Sequence, residues 1–223
     1  IEAGSDRTWI RSVNAKRRDL NLEVAGAIRL LPDGTGMVVP SYDGLDLLPM
    51  NPDRNGNAPQ SLPGSRELKS FCSGSGRAVL LRNWPDYRRS IELVIPGQPP
   101  RQVWLGEEGV MATACDNRGE NIWIVLRDAS PTLRDELLLI DSSGSVLKRR
   151  HFPGWFLASG AVLDVDPATN RLLTVMTDGD GSKRRAALID GSSLEFELLK
   201  PQVVLARWLP SGGELDEFSK VRR

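Results

Sequence analysis

Short apolar and β-branched runs, separated by turns rich in glycine, aspartate, serine and proline, repeat along the whole chain. In each copy a first strand leads into such a turn, and a second strand follows. The last residues before the five recognisable turns are Leu31, Cys72, Cys115, Val165 and Leu209. Strand and turn signals at this density predict an all-β fold, because short strands need a chain reversal at each end.

The spacing of these copies indicates the kind of β fold. The five marker residues are 41, 43, 50 and 44 residues apart, and a period of about 40 to 50 residues is that of one four-stranded propeller blade. Most copies continue into a third and a fourth strand. The clearest pair is LLLIDSSGS at 137–145 and AALIDGSSL at 186–194, in which aspartate opens a hairpin turn.

The two ends of the chain complete the pattern. The fifth copy has only two strands, and the N-terminal segment adds two more at 8–13 and 20–24. We therefore predict one domain, a five-bladed β-propeller of four-stranded antiparallel blades, whose ring closes when the N-terminal strands complete the C-terminal blade. The predicted blades are 25–66, 67–108, 109–158, 159–201, and 202–223 with 1–24. A β-sandwich and a piece of a larger propeller are the alternatives.

The turns LLPDGTGMVV at 30–39 and RWLPSGGEL at 207–215, together with the two LID strands, resemble the blade signatures of TolB-type, WD-repeat-like and YVTN-type β-propellers. No blade starts with the Gly-His or ends with the Trp-Asp of WD repeats proper. The resemblance implies a rigid disc with a central channel, which is used most often to bind proteins or small ligands. It does not select among functions.

Charge and hydropathy narrow the range of partners. Lys plus Arg and Asp plus Glu each total 29, so no net charge favours nucleic acid or an anionic membrane over other partners, and we do not expect nucleic acid as a partner. Apolar runs such as 122–126 are far shorter than the roughly 20 residues that span a bilayer. The chain begins without a leader, so we expect a soluble protein, either exported with its signal peptide removed or a cytoplasmic fragment.

The sequence offers few groups for catalysis. His151 is the only histidine, and no Gly-x-Ser-x-Gly turn supplies a nucleophile. Five-bladed glycoside hydrolases need two or three acids on their first strands, whereas Asp164 is the one acid that the predicted first strands offer here. We therefore expect no catalytic residue and no cofactor.

Neither a metal site nor a disulfide is expected. Asp178, Asp180 and Ser182 alternate as at the start of a calcium loop, but the cations at 183–185 repel a metal ion, and a hairpin loop is the better interpretation. Cys72 and Cys115 occupy equivalent positions in adjacent blades. Because such positions usually lie farther apart than the about 7 Å that a disulfide allows, we expect two separate buried thiols.

Loops between second and third strands carry the candidate contact residues for a protein partner. These are Trp84, Tyr87, Arg88, Arg89 and Tyr42. Exposed Trp, Tyr and Arg are enriched where binding energy concentrates in interfaces. The alternative is that Trp84 and Tyr87 only pack beneath their own loop.

A second candidate site lies at the predicted channel. Arg29, Ser70, Thr113 and Arg207 share one position of the first strands, with Leu163 as the fifth member. Such a polar ring suits a solvated lining, and its two arginines suit an anionic ligand group. Our leading hypothesis is a non-enzymatic propeller that serves as a protein-interaction scaffold, in a larger chain or complex. The alternative is a propeller that binds a small anionic or sugar ligand, or acts like a glycoside hydrolase, in its channel.

Overall fold

The computed structural model describes residues 2–4, 7–10, 18–19, 28–31, 34–49, 60–72, 74–95, 97–128, 134–203, 206 and 208. Within them no helix is long and apolar enough to cross a membrane. The strands are β1 (Glu2–Gly4), β2 (Arg7–Ile10), β3 (Arg18–Asp19), β4 (Arg29–Leu30), β5 (Gly36–Ser41), β6 (Gly44–Pro49), β7 (Gln60–Pro63), β8 (Arg66–Cys72), β9 (Arg77–Asn83), β10 (Arg89–Val94), β11 (Arg101–Gly106), β12 (Gly109–Cys115), β13 (Asn121–Arg127), β14 (Asp135–Asp141), β15 (Val146–His151), β16 (Trp155–Leu157), β17 (Asp164–Val165), β18 (Arg171–Asp178), β19 (Arg184–Asp190) and β20 (Phe196–Gln202).

These strands form antiparallel sheets in which neighbours in sequence are neighbours in space. The sheet orders are β4-β5-β6-β7, β8-β9-β10-β11, β12-β13-β14-β15 and β16-β18-β19-β20, with β17 also paired to β18. The predicted all-β class and four-stranded antiparallel sheets are confirmed. The N-terminal strands pair with one another as β1-β2-β3. Five blades and a closed ring stay predictions, and most of the fifth copy lies outside the described residues.

The core lies between successive sheets, so a middle strand buries both of its faces. In β13, Ile122 and Ile124 pack into the core shared with the preceding sheet, whereas Trp123 and Val125 pack into the core shared with the following one. Strand β14 alternates in the same way. Alternation between two apolar faces explains why these strands read as continuous apolar runs.

The two echoing hairpins occupy equivalent places in consecutive sheets, at β14–β15 and β19–β20. The Asp141 carboxylate accepts hydrogen bonds from the Ser143 hydroxyl and from backbone N–H groups of the turn, which hold the pKa of Asp141 below its usual value. Asp190 does the same, chiefly through the Ser193 N–H. These turns cap their strands with their own side chains, as aspartate turns do.

The expectation of two separate thiols is wrong, because Cys72 and Cys115 form a disulfide with their Cα atoms 5.1 Å apart. Both end the first strand of their sheet, and these two strands lie side by side. The Ser70 and Thr113 hydroxyl oxygens, two residues earlier, are only 2.8 Å apart. First strands of adjacent sheets are therefore close enough for a covalent link between blades.

We predict that replacing both cysteines with alanine destabilises the fold. The bridge closes a loop with a sequence separation of 43 residues, and removing this restraint from the unfolded chain costs about 4 kcal/mol. Urea denaturation of the oxidised wild type and of the Cys72→Ala/Cys115→Ala variant measures the difference. Wild type under reductant is the control and should approach the variant; equal midpoints for oxidised and reduced wild type would contradict the prediction.

A second prediction concerns the turn that follows Asp190. Gly191 accepts a hydrogen bond from the buried Trp123 indole N–H at 2.9 Å, and a Cβ at Gly191 would overlap the Asn170 carbonyl and come within 2.9 Å of the Trp123 ring. We expect Gly191→Ala to lower the free energy of unfolding by about 1–3 kcal/mol through overpacking. In Gly179→Ala, the matched control, the Cβ would make an ordinary 3.8 Å contact with Phe156. Similar denaturation midpoints for the two variants would refute this account.

Candidate functional site

A cavity of about 470 Å³ lies where the first strands converge. Its lining comes from Arg29, 67–71, 111–115 and 161–165. The structure thus brings together Arg29, Ser70 and Thr113 of the predicted channel ring, with Leu163 beside them, whereas Arg207 lies outside the described residues. Ligand binding by these residues stays a prediction.

The polar groups of this cavity differ in how fully they are engaged. The Ser70 and Thr113 hydroxyls share one hydrogen bond, and Lys69 pairs with Glu67 at 3.1 Å. The Asp164 Oδ2 accepts the Trp208 backbone N–H at 2.8 Å. These contacts order the lining without exhausting its hydrogen-bonding capacity, since a hydroxyl and a carboxylate each offer further acceptor positions.

Sequence reasoning missed Glu67 and Lys69. It placed only Ser70 of this strand at the channel, whereas β8 begins at Arg66 and residues 67–71 line the cavity. The expectation of a single first-strand acid is therefore wrong, because Glu67 and Asp164 both line the cavity. The apolar Leu68 between the charged Glu67 and Lys69 was the available signal for a longer strand.

A second surface is built from four turns at one end of the sheets, at 41–44, 63–66, 83–89 and 106–109; we call it the loop face. Backbone hydrogen bonds connect the first three turns: Gly64 donates to the Asp43 carbonyl at 2.7 Å, and Asn83 to the Ser65 carbonyl at 3.0 Å. The Arg89 guanidinium reaches the fourth turn at the Glu107 carbonyl, 2.9 Å away. The turns are therefore one continuous surface spanning adjacent sheets.

Two tyrosines project from the loop face. Tyr42 is 80% exposed and Tyr87 is 88% exposed. Tyr87 also holds a left-handed backbone with φ of 66°, which costs a non-glycine residue roughly 1–3 kcal/mol. The turn maintains this conformation through hydrogen bonds from Tyr87 N–H to the Trp84 carbonyl and from Trp84 N–H to the Arg88 carbonyl.

The other predicted contact residues are engaged within the loop face. Trp84 is half-buried, its indole N–H donates to the Ser90 hydroxyl at 3.0 Å, and the Arg82 guanidinium lies 3.7 Å from its ring centroid. Arg88 pairs with Asp86 at 2.7 Å and is about half exposed. Trp84 and Arg89 thus anchor the turn that presents Tyr87; their contact with a partner stays a prediction.

A buried ion-pair cluster lies beneath the loop face. The Glu92 carboxylate is 5% exposed and lies 2.7 Å from the Arg66 Nε and 3.6 Å from the Arg82 Nη1. These residues come from β10, β8 and β9, so one carboxylate ties three strands together. The cluster also supports Trp84 through the Arg82 guanidinium that covers the ring.

The Asp178 loop is held by its own hydrogen bonds, and His151 lies at an exposed strand position. Asp178 and Asp180 accept hydrogen bonds from Ser182 and Lys183 of their own loop. The hydrogen bonds from Ser182 to Asp180 are the largest cause of the low pKa of Asp180, which is about 2. His151 is exposed on β15 beside Glu136. Among the described residues no group of three or more His, Cys, Asp or Glu side chains is placed to hold a metal ion.

Comparison with solved structures identifies the fold class. TolB from Acinetobacter baumannii is similar with a TM-score of 0.53 and 16% identity, over 84% of this chain and 49% of that one. A structure from work on two prolyl endopeptidases gives a TM-score of 0.55 and 12% identity, over 86% and 32%. An uncharacterised Listeria monocytogenes protein gives 0.50 and 11%, over 67% and 46%.

No protein-family model matches the sequence, and no curated protein is significantly similar to it. The chain spans less than half the length of each of these three solved chains. At such identities the similarity shows the fold alone, which together with the antiparallel four-stranded sheets is of the β-propeller class.

We predict that the loop face depends on the Glu92 cluster. Glu92→Gln leaves two guanidinium groups without their carboxylate, and breaking a buried ion pair costs about 3–5 kcal/mol. Glu67→Gln is the matched control, because the Glu67 side chain is 59% exposed and an exposed pair contributes at most about 1 kcal/mol. Urea denaturation of both variants measures the difference. If Glu92→Gln is no less stable than the control, the cluster does not support this face.

Proposed function

We propose that this β-propeller is a non-enzymatic protein-interaction module, one part of a larger chain or complex, which binds its partner through the loop face. The observation that carries the proposal is the pair of exposed tyrosines, Tyr42 and Tyr87, on turns that hydrogen bonds join into one surface. Tyrosine supplies a large contact area at a low cost in conformational entropy, and it is enriched among residues that dominate binding energy.

The construction beneath the tyrosines supports the same role. The Glu92 ion pairs fix three strands, and Trp84 with its cover of Arg82 fixes the turn that carries Tyr87. A surface that is already ordered loses little entropy on binding, so more of its contact energy appears as affinity. The strained backbone of Tyr87 fits this role, since strain of this kind concentrates at functional sites.

Its likeness to solved proteins supports a role within a larger assembly. The chain matches 32% of a chain from work on two prolyl endopeptidases and the role of their inter-domain dynamics. A propeller that is one part of such a protein acts beside other domains. A channel that binds a small ligand or hydrolyses a glycan remains the alternative function.

The disulfide bears on where the module works. Cys72 and Cys115 are buried, and they are the chain's only cysteines. Structural disulfides persist in oxidising compartments and are rare in reducing cytosol. Of the two expected locations, this favours an exported protein.

The experiment is affinity capture with wild type and with a Tyr42→Ser/Tyr87→Asn variant, followed by measuring the affinity of each for the purified partner. Asparagine is chosen at position 87 because it tolerates a left-handed backbone. We expect the variant to bind about 30-fold more weakly, as the loss of an interface hot spot predicts. Its melting temperature should stay close to that of wild type.

The matched control is Val146→Ser/Leu147→Ser, which removes two exposed apolar residues from β15. This variant should retain the partner at wild-type affinity. Unchanged affinity in the tyrosine variant, or equal losses in both variants, would reject the loop face as the binding surface.

A further inference from the structure

The cavity between the first strands combines a cation, hydrogen-bond acceptors with spare capacity and an apolar wall. Arg29 is exposed at its edge and forms no ion pair with another described residue. Its guanidinium offers a fork of N–H donors that matches a carboxylate in both charge and geometry. By contrast, the other cation of the lining, Lys69, is already paired with Glu67. Arg29 is therefore the group available to an anionic ligand.

A carboxylate alone would not suit the rest of the lining. Asp164 also faces the cavity, and its Oδ2 accepts a hydrogen bond from the Trp208 backbone N–H. This acid repels a bare anion, but its oxygens accept hydrogen bonds from hydroxyl groups. The Ser70 and Thr113 pair adds two hydroxyls beside it. The chemistry that fits these acceptors is a ligand with several O–H donors.

The remaining walls are apolar and limit the ligand's size. Phe71, Met111 and Leu163 lie among the polar groups. They suit the C–H faces of a sugar ring. A volume of about 470 Å³ lies within the range of small-molecule pockets, which combine apolar walls with a few placed polar groups.

We propose that this cavity is a binding site for a sugar acid, a small polyhydroxylated carboxylate. Arg29 holds the carboxylate, while Asp164 and the Ser70–Thr113 pair receive the hydroxyl groups. The site is separate from the loop face, so a small ligand and a protein partner occupy different surfaces.

Isothermal titration calorimetry with glucuronate and galacturonate tests the proposal. Glucose, which lacks the carboxylate, and hexanoate, which lacks the hydroxyls, are the matched probes. We expect at least one uronate to bind about tenfold or more tightly than either of these. Absence of binding by both uronates up to about 10 mM, or equal affinity for glucose and the uronates, would overturn the proposal.

Two arginine variants test whether uronates bind in this cavity. Arg29→Gln should weaken uronate binding about tenfold or more and leave the melting temperature unchanged, because Arg29 is exposed. Arg150→Gln removes an exposed arginine from β15 and should leave the affinity unchanged. Equal affinities in the two variants would place any uronate binding elsewhere and refute the assignment. Both variants retain Tyr42 and Tyr87, so their results are independent of the loop-face experiment.

Discussion

The constraint on which the structure depends is that its middle strands are apolar on both faces. Strands β13 and β14 each divide their side chains between two cores, one shared with the preceding sheet and one with the following sheet. A sheet of this kind is stable only between two neighbours, because otherwise one apolar face meets water. Stacking is therefore forced by the strands themselves, and it brings the first strands of adjacent sheets close enough for the Cys72–Cys115 disulfide.

This stacking also determines where polar groups are found. Buried acids have hydrogen-bonded partners: Glu92 pairs with two arginines, and Asp135 pairs with Arg127, which also donates to the Leu157 carbonyl of the next sheet. Such pairs hold neighbouring strands against one another while each buried carboxylate keeps a charged partner. The tips of the turns lie outside the packed sheets, and Tyr42 and Tyr87 are exposed there.

The sequence was most informative where a local pattern decides local structure. The hairpins after Ile140 and Ile189 were predictable, because aspartate turns between β-rich runs carry their own hydrogen bonds. The disulfide was not, since the distance between Cys72 and Cys115 is set by how two sheets converge, and no local pattern records that distance. The ion pairs of Glu92 were not predictable for the same reason, because the arginine partners lie 26 and 10 residues away along the chain.

Strand β8 shows how closely the two candidate surfaces are tied to the core. Arg66 at its start holds Glu92 beneath the loop face, residues 67–71 line the cavity, and Cys72 at its end is linked to the next sheet. A first strand serves all three purposes because its length lines the cavity while its two ends reach opposite ends of the sheet. Changes within β8 therefore affect both surfaces together, whereas Tyr42, Tyr87 and Arg29 are exposed and lie outside it. Residues outside this strand are thus the ones through which the two proposed binding functions can be separated.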